Sequence, residues 1–133
     1  MISDRLKSFA KDRTVLLVDD DQSILHLFQR IFSRVFKEIH LAEDGEEGVE
    51  IFRQRQPDLI VSDIVMPNMD GLKMTELIRA EKRGVKIIII TAHDDQQNLE
   101  ILENREIPFL VKPVDREDLW EMIEKVMMGE SDS

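Results

Sequence analysis

The sequence predicts an α/β domain: a mostly parallel sheet with helices on both faces. Two observations carry this. Hydrophobic runs of strand length recur five times along 133 residues, and each is followed by a segment whose apolar residues return at helical spacing. Strands separated by helices in this way pair in parallel through right-handed crossovers.

The first strand is TVLLV at 14–18, an aliphatic run of the kind covered on both faces. After it, Ile24, Leu27, Phe28, Ile31, Phe32, Val35 and Phe36 follow i, i+3, i+4, i+7, i+8 spacing, a core-facing helical stripe. EIHLA at 38–42 is a weaker strand suited to a sheet edge, and Val49 and Phe52 mark the helix behind it. DLIVS at 58–62 is the third strand. Pro67 then turns the chain, and Asp70-Gly71 leads into a helix around Met74, Leu77 and Ile78, with Asp70 as its N-cap. VKIIII at 85–90 is the fourth strand, followed by a helix around Leu99 and Leu102. IPFLV at 107–111 is the fifth, where Pro108 suits an edge. Leu119, Met122, Ile123, Val126 and Met127 make the stripe of the last helix. The domain is thus expected at 14–128. Residues 1–13, with Ile2, Leu6 and Phe9 loosely at helical spacing, form an N-terminal extension or linker, and 129–133 form a tail.

Composition narrows the partners. Against 18 basic residues stand 28 acidic ones, a formal charge of −10 that disfavours direct contact with nucleic acid. There is no cysteine, which excludes a disulfide framework and a thiolate metal site. Nothing resembles a signal peptide or a membrane-spanning run, so a cytoplasmic protein without membrane contact is expected.

In open parallel sheets ligands gather beyond the carboxyl ends of the strands. There this chain carries Asp19-Asp20-Asp21, Asp63, Thr91-Ala92 and Lys112-Pro113. Asp21 or Ser23 suits the N-cap of the helix that follows. Taken singly, Asp63 reads equally as a buried structural acid, Thr91 as a capping hydroxyl and Lys112 as a surface lysine. Asp19 and Asp20, however, leave a buried strand side by side, and adjacent carboxylates repel unless a cation neutralises them. Magnesium accepts such oxygen ligands and keeps several waters. Beside such an ion an aspartate can attack phosphorus, with a lysine and a hydroxyl holding the phosphoryl oxygens, to give an aspartyl phosphate.

The segments LLVDDDQSI, DLIVSDIVMPNMDGL, IIIITAHDD and PFLVKPVDREDL resemble, in order and spacing, the landmarks of the receiver domain of bacterial two-component response regulators, over about residues 14–128. The resemblance implies a flavodoxin-like (βα)5 sandwich, doubly wound, with strand order 2-1-3-4-5. It makes Asp63 the phosphoacceptor and gives Mg2+ the ligands Asp20, Asp63 and the main-chain carbonyl of Val65, with Asp19 acting through metal-bound water. Lys112 becomes the phosphoryl-binding lysine, Thr91 the switch hydroxyl and Phe109 the aromatic rotamer switch, and the Lys112-Pro113 bond is implied to be cis.

The implied function is a phosphorelay switch, fed by a sensor histidine kinase or phosphotransfer protein and acting on an output domain or effector, as a monomer or phosphorylation-dependent dimer. It would catalyse only its own phosphoryl transfer and dephosphorylation. The surface that changes is formed by the helix after the fourth strand, the fifth strand and the last helix. It is expected to include Leu99, Leu102, Phe109 and Trp120, which is one position off the core stripe and so partly exposed. Val65 and His93 would flank the hydrolytic water, and His26 and His40 read as surface residues.

Where family members often carry glycine and alanine before the fifth strand, this chain has Glu103-Asn104-Arg105-Glu106, which implies a loop of different shape. Three other readings compete. A haloacid-dehalogenase-like phosphatase would use the D-x-D within Asp19-Asp20-Asp21 but leave Asp63 unexplained. A flavodoxin-like cofactor carrier needs a phosphate loop where these aspartates stand. A receiver-shaped interaction module that is never phosphorylated usually lacks one of the positions present here.

Overall fold

Five parallel strands form one sheet in the order β2-β1-β3-β4-β5, the doubly wound, flavodoxin-like arrangement. The computed structural model describes residues 2–92 and 96–129. The strands are β1 (Thr14–Val18), β2 (Glu38–Ala42), β3 (Leu59–Ser62), β4 (Ile87–Thr91) and β5 (Phe109–Val111). The helices are α1 (Asp4–Ala10), α2 (Gln22–Phe32), α3 (Gly45–Arg55), α4 (Gly71–Glu81), α5 (Gln96–Asn104) and α6 (Arg116–Met128). β1 and β2 have the bounds read from the sequence. β3, β4 and β5 each begin two residues or one residue later than expected, where Asp58, Val85-Lys86 and Ile107-Pro108 still belong to the turns.

The central strands β1, β3 and β4 are buried at nearly every position, which is why they read as unbroken aliphatic runs. One layer of core lies under α1, α2 and α6, the other under α3, α4 and α5. N-caps fix where several helices start. Asp21 accepts from the Ser23 and Ile24 N–H groups, Asp70 from Lys73, and Asp115 from Glu117.

Residues 4–10 form a helix seated on the domain. Leu6 and Ala10 are fully buried in the same cluster as Phe32, Trp120 and Met127. Ser3 caps α1 through the Leu6 N–H and donates its hydroxyl to Glu124 of α6 (2.7 Å), which also pairs with Arg5 (3.2 Å).

This helix corrects one expectation. Trp120 is not a partly exposed member of the α5–β5–α6 surface: it is 4% exposed, its ring 5.2 Å from that of Phe32. α6 is covered by α1 as well as by the sheet, so its buried arc is wider than one stripe. Leu102 is likewise core, at 0% exposure, and leaves Leu99 and Phe109 as the partly buried apolar residues of that surface. In α2 the stripe is also displaced. The helix stops at Phe32, Leu25 is buried, and Leu27 stands 47% exposed, while Val35 and Phe36 pack from the turn beyond. His26 is exposed as expected, whereas His40 is half-buried in β2, 3.5 Å from Glu38.

The loop between α5 and β5 does have its own solution. Glu106 takes a positive φ of 55°, a conformation that favours glycine. The Arg79 guanidinium, reaching from α4, donates to the carbonyls of Arg105 (2.9 Å) and Glu106 (3.2 Å) and holds the turn. Replacing Glu106 by glycine should therefore stabilise the fold slightly, by up to about 1 kcal/mol, because the left-handed conformation then carries no Cβ penalty. Chemical denaturation would check this, and a lower midpoint would contradict it.

Candidate functional site

Register brings the site together. Val18 of β1 is level with Ser62 of β3, so the residues that leave those strands, Asp19 and Asp63, emerge side by side. The Asp63 N–H donates to the Val18 carbonyl (3.0 Å) and the Asp19 N–H to that of Ala42 (3.0 Å), which fixes both carboxylates at the carboxyl edge of the sheet. Thr91 pairs with Val111 at the ends of β4 and β5, and the Lys112 N–H donates to the Thr91 carbonyl (2.8 Å). Lys112-Pro113 is a cis peptide.

The Asp63 carboxylate is bound at both oxygens. Oδ1 accepts from the Ile64 N–H at 2.7 Å, and Oδ2 accepts from Lys112 Nζ at 3.1 Å. Asp63 retains 15% side-chain exposure and Lys112 36%, enough for an incoming group to reach them. Asp19, Asp20 and Asp63 each offer a carboxylate oxygen within 4.8 Å of the others. Burial is the main cause that raises the Asp19 carboxyl from 3.8 to about 6; the Asp21 N–H opposes it, the Asp63 carboxylate adds to it, Lys112 opposes and Asp20 adds. Three oxygens so placed, one of them resisting ionisation, fit a hard divalent cation.

Behind Asp63, Gly71 makes the architecture possible. A Cβ there would lie 2.1 Å from the Asp63 carbonyl oxygen, so α4 begins against the peptide of Asp63 itself. Ser62 Oγ donates to the same carbonyl (2.7 Å) and the Gly71 N–H to that of Ile64 (2.8 Å). The loop after Asp63 is also tied sideways. Asn68, at φ 67°, donates to Asp44 (2.6 Å), and the Gly45 N–H donates to the Met69 carbonyl (2.9 Å). None of these supports was singled out from the sequence. The Asp70-Gly71 pair signals a turn, but a local signal does not say which backbone the glycine must approach.

Of the residues expected at the site, Asp19, Asp20, Asp63 and Lys112 converge. Thr91 is buried at the end of β4 (2% exposed), Phe109 is partly buried on β5, and Val65 projects its side chain to solvent, 70% exposed. His93 lies outside the described residues.

The family model for the response regulator receiver domain matches residues 15–124. The chain belongs to that family. Protein PilH of Pseudomonas aeruginosa is 32% identical over 119 residues, which cover 86% of this chain and 98% of that protein. The probable C4-dicarboxylate response regulator DctR of Bacillus subtilis is 31% identical, over 86% of this chain and 52% of that one. The receiver thus spans about half the length of that larger relative. Among solved structures, the response regulator TrrA of Thermotoga maritima in complex with Mg(2+)-BeF superposes with a TM-score of 0.77, at 31% identity and over 86% of this chain and 98% of that one. The chain is accordingly a response regulator receiver domain of two-component signalling. Among the described residues no helix is long and apolar enough to cross a membrane.

Proposed function

We propose that this receiver accepts a phosphoryl group on Asp63 from a sensor histidine kinase or a phosphotransfer protein. The observation that carries the proposal is the pairing of Lys112 Nζ with Asp63 Oδ2 at 3.1 Å, beside Asp19 and Asp20. A carboxylate oxygen of Asp63 forms the new bond to phosphorus as the bond to the donor's nitrogen breaks, and the donor imidazole leaves with the electron pair. Lys112 follows the charge onto the phosphoryl oxygens, and the Thr91 hydroxyl donates to one of them. Asp19, Asp20, Asp63 and the Val65 carbonyl would hold Mg2+, which neutralises charge as one anion approaches another.

The consequence is a switch. When Thr91 turns toward the phosphoryl group it vacates space, Phe109 rotates inward, and the surface of α5, β5 and α6 changes shape for an output domain or effector. A bond that exists in one state alone is what shifts such an equilibrium. Water hydrolyses the aspartyl phosphate to aspartate and inorganic phosphate, and the apolar, exposed Val65 cannot orient that water.

Incubation with acetyl phosphate and Mg2+ should add one phosphoryl mass, mapped to Asp63 and absent from Asp63→Asn. Beryllofluoride with Mg2+ should move amide resonances of α5, β5 and α6 in the wild type but not in Thr91→Ala. Undiminished labelling of Asp63→Asn would overturn the acceptor; identical shifts in Thr91→Ala would overturn the switch.

A further inference from the structure

The end of the sheet opposite Asp63 carries a small cavity of its own. About 210 Å³ opens where the chain enters β1, β3 and β4, between the end of α1, the end of α6 and the turn before β4. Phe9, Pro57, Val85 and Met127 give it an apolar wall, and Arg13, Lys82 and Lys86 bring three cations to it against one carboxylate, that of Asp58. In a chain of formal charge −10 such a surplus of positive charge runs against the composition. The side chains of Arg13, Lys82 and Lys86 make no ion pair or hydrogen bond among the described residues. Asp58 does not answer them: its Oδ2 accepts from the N–H (2.8 Å) and the hydroxyl (3.4 Å) of Thr14.

The walls are fixed by the fold itself. The Arg13 guanidinium carbon is held over the Phe9 ring, 4.2 Å from its centroid, and a guanidinium resting on a ring keeps its N–H donors for an anion. The Arg13 N–H donates to the Ala10 carbonyl (2.9 Å) and the Arg13 carbonyl accepts from the Lys37 N–H (2.8 Å), which pins the backbone that carries the guanidinium. Across the cavity the Val85 N–H donates to the Lys82 carbonyl (3.2 Å), and the Lys86 carbonyl accepts from the Ile60 N–H (2.9 Å). A preformed hollow with an apolar wall and a few convergent polar groups is the usual form of a small-molecule site.

We propose that this cavity binds a small phosphomonoester, with its phosphoryl oxygens on Arg13, Lys82 and Lys86 and its organic part against Phe9, Val85 and Met127. Charge selects the class. Three cations less Asp58 leave two positive charges, which match the dianion that a phosphomonoester carries above its second pKa. A monocarboxylate leaves one of them unmatched, and inorganic phosphate leaves the apolar wall bare. Phe9 belongs to α1, and Arg13 to the three residues that join α1 to β1. The ligand therefore binds only while α1 is seated, and it fastens that helix to the domain. The site is remote from Asp63 and takes no part in phosphoryl transfer.

Phenyl phosphate, inorganic phosphate and uncharged benzyl alcohol are titrated into the full chain with a chelator present, while amide resonances are followed. Phenyl phosphate should bind saturably, with shifts centred on Phe9, Arg13, Lys82, Val85 and Lys86. Inorganic phosphate should move the same amides at least about tenfold more weakly, for want of apolar contact, and benzyl alcohol should not bind there. Arg13→Gln should weaken phenyl phosphate at least about tenfold. The double variant Lys82→Gln, Lys86→Gln, at two exposed positions, should do the same and serves if Arg13→Gln fails to fold. Phenyl phosphate should raise the melting temperature of the wild type but not of either variant. Asp63→Asn should bind it as the wild type does, and labelling of Asp63 by acetyl phosphate should be unchanged in Arg13→Gln. Shifts centred on Asp63 and Lys112, equal affinity for phenyl phosphate and inorganic phosphate, or undiminished binding in the variants would overturn the proposal.

Discussion

Without magnesium, Asp19→Asn is expected to melt several degrees above the wild type at neutral pH and at the same temperature as the wild type below about pH 4. The Asp19 carboxyl is 8% exposed, and its pKa is raised from 3.8 to about 6, chiefly by burial. A folded-state value above the unfolded one means the native state holds the proton more tightly. Below about pH 4 both states are protonated and the group contributes nothing; as pH rises toward 6 the unfolded chain ionises first and the native state loses ground. Above about pH 6 the full penalty stands, on the order of 2–3 kcal/mol from a shift of this size. Asparagine keeps the shape and the acceptor for the Asp21 N–H, which Asp19 Oδ1 takes at 2.9 Å, but has no charge to desolvate. Magnesium should reverse the order. By binding the native state alone it should raise the wild-type melting temperature, by about 2.7 kcal/mol of stability at a hundred times its dissociation constant, and raise Asp19→Asn and Asp20→Asn less. Differential scanning calorimetry across pH, with a chelator and then with magnesium, measures all of this. A variant less stable than wild type at every pH would show that Asp19 is held as a favourable structural acid.

Gly71→Ala should disable the proposed acceptor, Asp63, without touching a charged group. The added Cβ would meet the Asp63 carbonyl oxygen at 2.1 Å, the Asp63 carbonyl carbon at 3.1 Å and the Ile64 Cα at 3.1 Å. All are backbone atoms, so no side chain can rotate away, and either α4 withdraws or the acceptor peptide tilts. Overpacking of this kind costs about 1–3 kcal/mol. Because the displaced peptide carries Asp63, the acetyl phosphate labelling rate should fall more than stability alone explains. The comparison variant is Gly84→Ala, where a Cβ meets nothing within 4 Å. Equal labelling rates in the two variants would contradict the positioning role.

The strands and the convergence of Asp19, Asp20, Asp63 and Lys112 were legible because each depends on a local pattern. An aliphatic run is a buried strand wherever it falls, and the edge at which all strands end follows from parallel pairing alone. What the sequence hides is contact between segments distant along the chain. Trp120 is one step off the stripe of α6, and only the seat of α1 on that helix turns the step into burial. Leu27 fits the stripe of α2, yet that helix is rotated so that Leu25 enters the core. The support of Asp63 by Gly71 rests on a crossing of backbones that no composition rule encodes. The altered loop before β5 was visible as a departure from pattern, but the Arg79 clamp that holds it comes from another helix.

The place of Trp120 has a practical meaning for anyone who follows this protein by light. It is the single tryptophan, and it is packed with Phe32 in the cluster that also receives Leu6 and Ala10. Its emission is therefore a gauge of whether the first ten residues are docked. Trimming them should redden and quench the indole as water reaches it, whereas loading Asp63 should leave the spectrum nearly still, and an assay of activation has to look to an introduced dye near Phe109 instead.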